Sequence, residues 1–247
     1  MWLAPRTILL IDRARGVREA ETIELRFHAP RRENIYIHGR RAEIVRSNAT
    51  LVVDALAPAH GAWQVKKRPL TLSEFGEEDP LSMKARGFLE RSLAVDNGAA
   101  TFIHLLSTDR ELVENSKTEQ ASDHTTWILD GTRYLVNTSP DGTMSENGIV
   151  TDALVYADSL TGRIVLHATK LVRSGTVELM ADAPLSLVLG DSGFVFSTSR
   201  STRLSIRFDT APHEVLVQGN VVRDWTYDTE GELSLVLPGG NGRVELR

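Results

Sequence analysis

Short stretches of alternating apolar and polar residues run through nearly the whole chain, and they constrain its fold more than any single motif does. TIELRFH, AEIVRS, TRYLVN, TRLSIRF and ELSLVL each place apolar side chains at every second position. Successive side chains of a strand point to opposite faces, so such a segment buries one face and wets the other, as half-buried antiparallel strands do. Turn signals separate the stretches: DNG at Asp96, LDGT around Asp130, SPDGT from Ser139, LTGR from Leu160, GDSG from Gly190, TEGE from Thr229 and GGNG from Gly239. Roughly twenty short strands joined by close turns predict an all-β protein, a large antiparallel β-sandwich or super-sandwich, with barrel closure as the alternative.

Few segments depart from this pattern. Helical character is confined to residues 72–83, where Pro80 limits it. Residues 73–81 (SEFGEEDPL) and 109–126 (DRELVENSKTEQASDHTT) read as loops, the second long enough to suggest a functional flap or a crossover. A soft boundary falls at Ala181-Asp182-Ala183-Pro184. It divides the chain into a main antiparallel β-sandwich, 1–180, and terminal strands, 181–247, which either close the same sandwich or form a small second sheet.

Composition narrows the function classes. The 247 residues are 41% hydrophobic and 25% charged, ordinary for a soluble globular chain. The aliphatic run Ile8-Leu9-Leu10-Ile11 is far short of the about 20 apolar residues of a membrane helix, so no membrane partner is expected. The opening MWLAPRT has no basic region ahead of an apolar stretch and does not read as a signal peptide. The absence of cysteine rules out disulfides and thiolate chemistry, and it suits the cytoplasm and the bacterial periplasm equally. Formal charge is −5 but uneven: residues 1–68 hold 13 Lys/Arg against 7 Asp/Glu, and the remainder 15 against 26. A basic first quarter on an acidic chain points to an anionic partner at that end, or to a merely solvated basic surface.

The candidate binding residues lie in that first quarter. Tyr36 and His38 in IYIH are two apart on a strand and so face the same way, an arrangement suited to proton transfer or to an ordinary exposed strand. Arg31, Arg32, Arg40 and Arg41 flank them, and Lys66, Lys67 and Arg68 end the basic stretch. Together these nine residues suit an acidic sugar, whose carboxylate needs neutralising. Nucleic acid is not expected, because the aromatic interleaving of a single-strand platform is missing. Trp63, Trp127 and Trp225 sit in alternating strands, as sugar platforms or as core. No catalytic residue, metal ligand or cofactor is assigned. The histidines lack zinc spacing. Asp12 and His28, if their strands paired about a turn near Val17, would lie roughly 17 Å apart along the strand, too far to share an ion. PGGNG, at 238–242, reads as a hairpin turn rather than a phosphate loop, since no helix follows it.

GDSG, at 190–193, is similar to the nucleophile motif of trypsin-like serine proteases, and His60, Asp96 or Asp109, and Ser192 follow the His, Asp, Ser order. The surroundings differ. The motif runs into the alternating strand FVFSTS rather than a second glycine and proline, no cysteine lies beside His60, and no Ile-Val-Gly-Gly start is present. Asp and Ser between glycines are also what a tight hairpin turn takes.

Read in order, ILLIDRARG, IELRFHAP, AEIVRSNATLVVDALAP, RGFLERSLAVDNGAATFIHLLST and FDTAPHEVLVQG followed by LSLVLPGGNGRVEL resemble the β-sandwich region of heparinase II/III-like polysaccharide lyases. The resemblance spans essentially the whole chain. It rests on the order of the pieces, since each alone is common to β-sandwiches. It implies an (α/α) toroid preceding the antiparallel sheets, and β-elimination of uronic-acid polysaccharide in the cleft between them. It also implies catalytic residues on that toroid and at the start of the sandwich, ahead of the segment matched here. No catalytic residue is therefore carried over, and the chain is expected to be inert alone, with the helical toroid domain and an anionic polysaccharide as its partners. A non-catalytic carbohydrate-binding or protein-interaction module is the alternative.

Overall fold

The computed structural model describes residues 2–4, 6–18, 21–29, 34–58, 61–68, 86–95, 99–138, 142–159 and 162–247. The protein is all-β: among these residues there are 24 strands and one five-residue helix. The chain divides into two compact units, Met1–Ser116 and Lys117–Arg247.

The first unit contains β1 (Trp2–Ala4), β2 (Thr7–Arg15), β3 (Thr22–Ala29), β4 (Ile35–His38), β5 (Arg41–Arg46), β6 (Ala49–Ala57), β7 (Trp63–Arg68), β8 (Arg86–Ala94), β9 (Ala99–Ser107) and the helix α1 (Arg110–Glu114). A six-stranded sheet runs β1-β2-β9-β6-β5-β4, and a three-stranded sheet runs β3-β8-β7. The alternation read from the sequence decides how they pack. Ile35, Ala42, Ile44, Val53 and Ala55 from the larger sheet meet Ala29, Trp63 and Leu89 from the smaller, and the two inner faces close on one apolar core. β2 and β3 do not pair with each other. Asp12 lies opposite Phe102 and His28 opposite Phe88, in different sheets, so the pairing assumed for them from sequence does not form.

Within the segment 109–126, expected to be a loop, Asp109 caps α1 by accepting a hydrogen bond from Leu112 N, and residues 117–120 form an edge strand. The polar composition misleads because a short capped helix and an edge strand bury few side chains; α1 buries only Val113. Residues 69–85, which include the segments expected as a loop and a weak helix, lie outside the described residues, as do the DNG turn and parts of SPDGT and LTGR.

The second unit contains β10 (Lys117–Gln120), β11 (His124–Leu129), β12 (Thr132–Asn137), β13 (Met144–Glu146), β14 (Ile149–Thr151), β15 (Val155–Ser159), β16 (Gly162–Arg173) and β17 (Thr176–Gly190). They are followed by β18 (Gly193–Thr198), β19 (Thr202–Arg207), β20 (Val215–Val217), β21 (Asn220–Val222), β22 (Trp225–Tyr227), β23 (Glu232–Leu237) and β24 (Gly240–Leu246). One path runs β10-β11-β12-β15-β16-β17-β18-β24-β20-β21.

β16 and β17 run on beyond that path. The far half of β16 pairs with β14, and the near half of β17 pairs with β19, which leads through β23 to β22. The two long strands thus serve two layers, which close on a core that includes Tyr156, Leu185, Phe196, Leu204 and Leu235. The register between them slips between Val165 and Ala168 and again before Lys170, and His167 takes a φ of 53°. Asp152 secures this bend by accepting the backbone N–H groups of Thr169 and Lys170. Ala181 to Pro184, which look like a soft boundary in sequence, lie at the corresponding corner inside β17. PGGNG is not a hairpin turn: β23 pairs with β19 and β22, β24 with β18 and β20, and the segment carries the chain between them.

Candidate functional site

The β4–β5 hairpin gathers four of the nine candidate residues. Ile35, Ala42 and Ile44 point into the sandwich, so alternation turns Tyr36, His38 and Arg41 to the outer face of the larger sheet. His38 lies opposite Arg41 in register, and Arg41 lies opposite Asp54 of β6. Asp54 is fully buried. Arg40 Nε lies 3.0 Å from its Oδ1, and Arg41 Nε donates to Oδ2 at 3.1 Å. Arg41 also donates from Nη2 to the carbonyl of Val113 at 2.8 Å, tying the hairpin to α1. A buried carboxylate needs such partners, because an uncompensated buried charge is strongly destabilising. Two guanidiniums on one carboxylate leave one positive charge in excess. Arg40 is 39% exposed and Tyr36 50%, so both reach solvent on this hairpin. Glu43, opposite Tyr36, pairs with Arg110 at 2.9 Å, and Arg110 also meets Glu114 at 3.0 Å, so this neighbouring group carries one negative charge in excess.

Lys66 lies elsewhere. Trp63 and Val65 of β7 face the core, so Lys66 lies on the outer face of the smaller sheet, on the opposite side of the sandwich from the hairpin. It pairs with Glu90, which also accepts from Arg26 Nε at 2.9 Å. Burial favours protonation of Glu90, but the hydrogen bonds from Lys66 and Arg26 outweigh it and hold the carboxyl below its ordinary range. Lys67 and Arg68 continue β7, opposite Gly87 and Arg86. Arg31 and Arg32 lie outside the described residues. The hairpin group and Lys66 therefore do not form one surface. Asp54 and Glu90, which organise both clusters, were not among the residues singled out from sequence. For Asp54 the signal is a lone carboxylate inside the apolar run LVVDALA; Glu90, in GFLERSL, has an arginine and a serine beside it and carries no such signal.

Between the sheets, Arg91 is almost completely buried. It donates to the carbonyls of Ala57 at 3.2 Å, Pro58, and Gly61 at 3.3 Å, and its guanidinium carbon lies 5.8 Å from the centre of the Trp63 ring. Burial brings its pKa down to about 10. His104 lies beside it, ringed by Trp63, Phe27 and Phe102 at centroid distances of 5.3, 5.9 and 6.0 Å. Trp63 is thus core, and so is Trp127, which is fully buried.

In the second unit a groove of about 830 Å³ opens beside the GDSG turn. Asp191 and Ser192 form that turn between β17 and β18, and both are exposed. Ser192 offers its carbonyl to Leu246 N at 2.9 Å. Gly193 has a φ of 139°, and a Cβ there would lie 2.1 Å from the Val244 carbonyl oxygen. The second glycine thus has a structural reason of its own. Of the residues needed for a protease triad, His60 and Asp96 lie outside the described residues, and Asp109 caps α1 in the first unit.

No protein-family model matches the sequence, and no curated protein matches it.

A further polar cluster lies in the second unit. His124, nearly buried, has its Nδ1 2.7 Å from Asp123 Oδ1 and its Nε2 3.6 Å from Glu146, which also pairs with Arg133. Among the described residues no group of three or more His, Asp or Glu side chains is placed to hold a metal ion. The hairpin offers groups suited to binding: a partly exposed guanidinium held by a buried carboxylate, with an imidazole and a phenol on the outer face of the same hairpin.

Proposed function

We propose that this chain is the β-sandwich region of a heparinase II/III-like polysaccharide lyase, a family that eliminates across uronic-acid linkages of anionic polysaccharides. In this reading the chain does no chemistry alone. It forms one wall of the cleft, stabilises a helical toroid partner and helps hold the anionic glycan. The observation that carries the binding role is the Arg40–Asp54–Arg41 cluster, two guanidiniums on one buried carboxylate, on the hairpin that also exposes Tyr36 and His38. The all-β sandwich of the first unit and the ordered strand motifs support the family reading. Incubation with heparin, heparan sulfate and alginate, followed by absorbance of unsaturated products, tests it: the chain alone yields none, and robust turnover overturns the inert role.

The second reading is a non-catalytic carbohydrate-binding module. The groove beside the GDSG turn favours it.

A further inference from the structure

We infer that the groove of the second unit is a binding site for a neutral, hydroxyl-rich ligand, an oligosaccharide segment of roughly two or three sugar units, a size its volume accommodates. This site is separate from the β4–β5 hairpin and does not depend on the lyase reading. The groove lies at the open end of the two layers that share β16 and β17. Its floor is apolar, with Leu171, Leu179, Leu189 and Ile206 beside Phe208. The Phe208 ring is fixed by near-parallel stacking on Phe194, with centroids 6.3 Å apart and planes at 17°. A held aromatic ring beside aliphatic groups suits the C–H face of a pyranose.

Three arginines of the rim are each paired with a carboxylate. Arg163 meets Glu178 at 2.5 Å, Arg173 meets Asp158 at 3.3 Å, and Arg207 meets Glu230 at 3.6 Å. Tyr156 donates from its hydroxyl to Asp158 at 3.3 Å, fixing that carboxylate from below. Each of these three guanidiniums already faces a carboxylate, which lessens the attraction the groove offers a polyanion. A sugar hydroxyl asks for something else, planar donors and acceptors with spare capacity. A guanidinium has five N–H donors and a carboxylate about four acceptor positions, so one ion pair leaves most of both unused. Asp191 and Ser192 add an exposed carboxylate and hydroxyl at the mouth, giving the GDSG turn a binding role.

The test is calorimetric titration of the full chain with cellotriose, xylotriose, maltotriose and mannotriose, and with trigalacturonate as the acidic counterpart, at low and high salt. At least one neutral trisaccharide should bind with an affinity that salt leaves unchanged. Arg173→Gln, on the exposed rim, and Phe208→Leu should each weaken it about tenfold, with circular dichroism confirming that the variants fold. Arg40→Ala, in the other unit, should leave it unchanged, which separates this site from the hairpin. Absence of binding to every neutral probe, neutral binding unaffected by both groove variants, or trigalacturonate binding that is tighter than any neutral probe and is weakened by the groove variants but not by Arg40→Ala would overturn the proposal.

Discussion

Arg91 Nη1 lies 3.4 Å from His104 Nε2 inside the core of the first unit, a permanent cation beside an imidazole that is itself fully buried. Burial first, and the Arg91 charge second, push the imidazole down to about 3. His104 is therefore neutral in the folded state, while in the unfolded chain it takes up a proton near its ordinary value of 6.5. Its contribution to stability is complete above pH 6.5, declines as the pH falls towards about 3, and changes no further below that. The slope in this window reaches about 1.4 kcal/mol per pH unit. Urea denaturation at a series of pH values measures it. Glu90 and Asp123, both held below their ordinary range, lose stability in the same direction at acid pH, so His104→Gln is the control. The variant should flatten the curve between pH 6.5 and 4; an unchanged slope contradicts the assignment.

Asp54 holds two arginines, and this predicts non-additive behaviour. Either Arg40→Ala or Arg41→Ala leaves the buried carboxylate one partner and should destabilise by about 1 kcal/mol, a modest figure because both guanidiniums are partly exposed. The double variant leaves the carboxylate unpaired. Its loss should exceed the sum of the singles by about 1–2 kcal/mol in a denaturation cycle.

The two central positions of the GDSG turn should separate sharply from its second glycine. Ser192 is exposed in the turn, and Ser192→Ala should change stability by less than about 0.5 kcal/mol. Gly193→Ala places a Cβ against the Val244 carbonyl at a φ that only glycine adopts readily, so it should destabilise the second unit by about 3 kcal/mol or more. Thermal unfolding of the two variants decides it.

Strand identity was legible from period-two patterning, and alternation alone explains why Tyr36, His38 and Arg41 share a face while Ile35 and Ala42 turn inward. Partner choice was not. β2 and β3 are neighbours in sequence yet join different sheets, and PGGNG carries the chain between strands that do not pair, because those pairings are decided by long-range burial rather than by local turn chemistry. The basic residues of the first quarter were visible, but not their carboxylate partners. That Lys66 faces away from Arg40 follows from the sheet to which β7 belongs.

Binding of a uronic-acid oligomer to the hairpin is best read by titrating alginate trisaccharide into the wild-type chain and Arg40→Ala at two salt concentrations. The lyase reading predicts binding to the wild type that weakens as salt rises and falls several-fold in Arg40→Ala, with no unsaturated product formed. Uronate binding that is insensitive to both salt and Arg40→Ala, or no uronate binding at all, would contradict it.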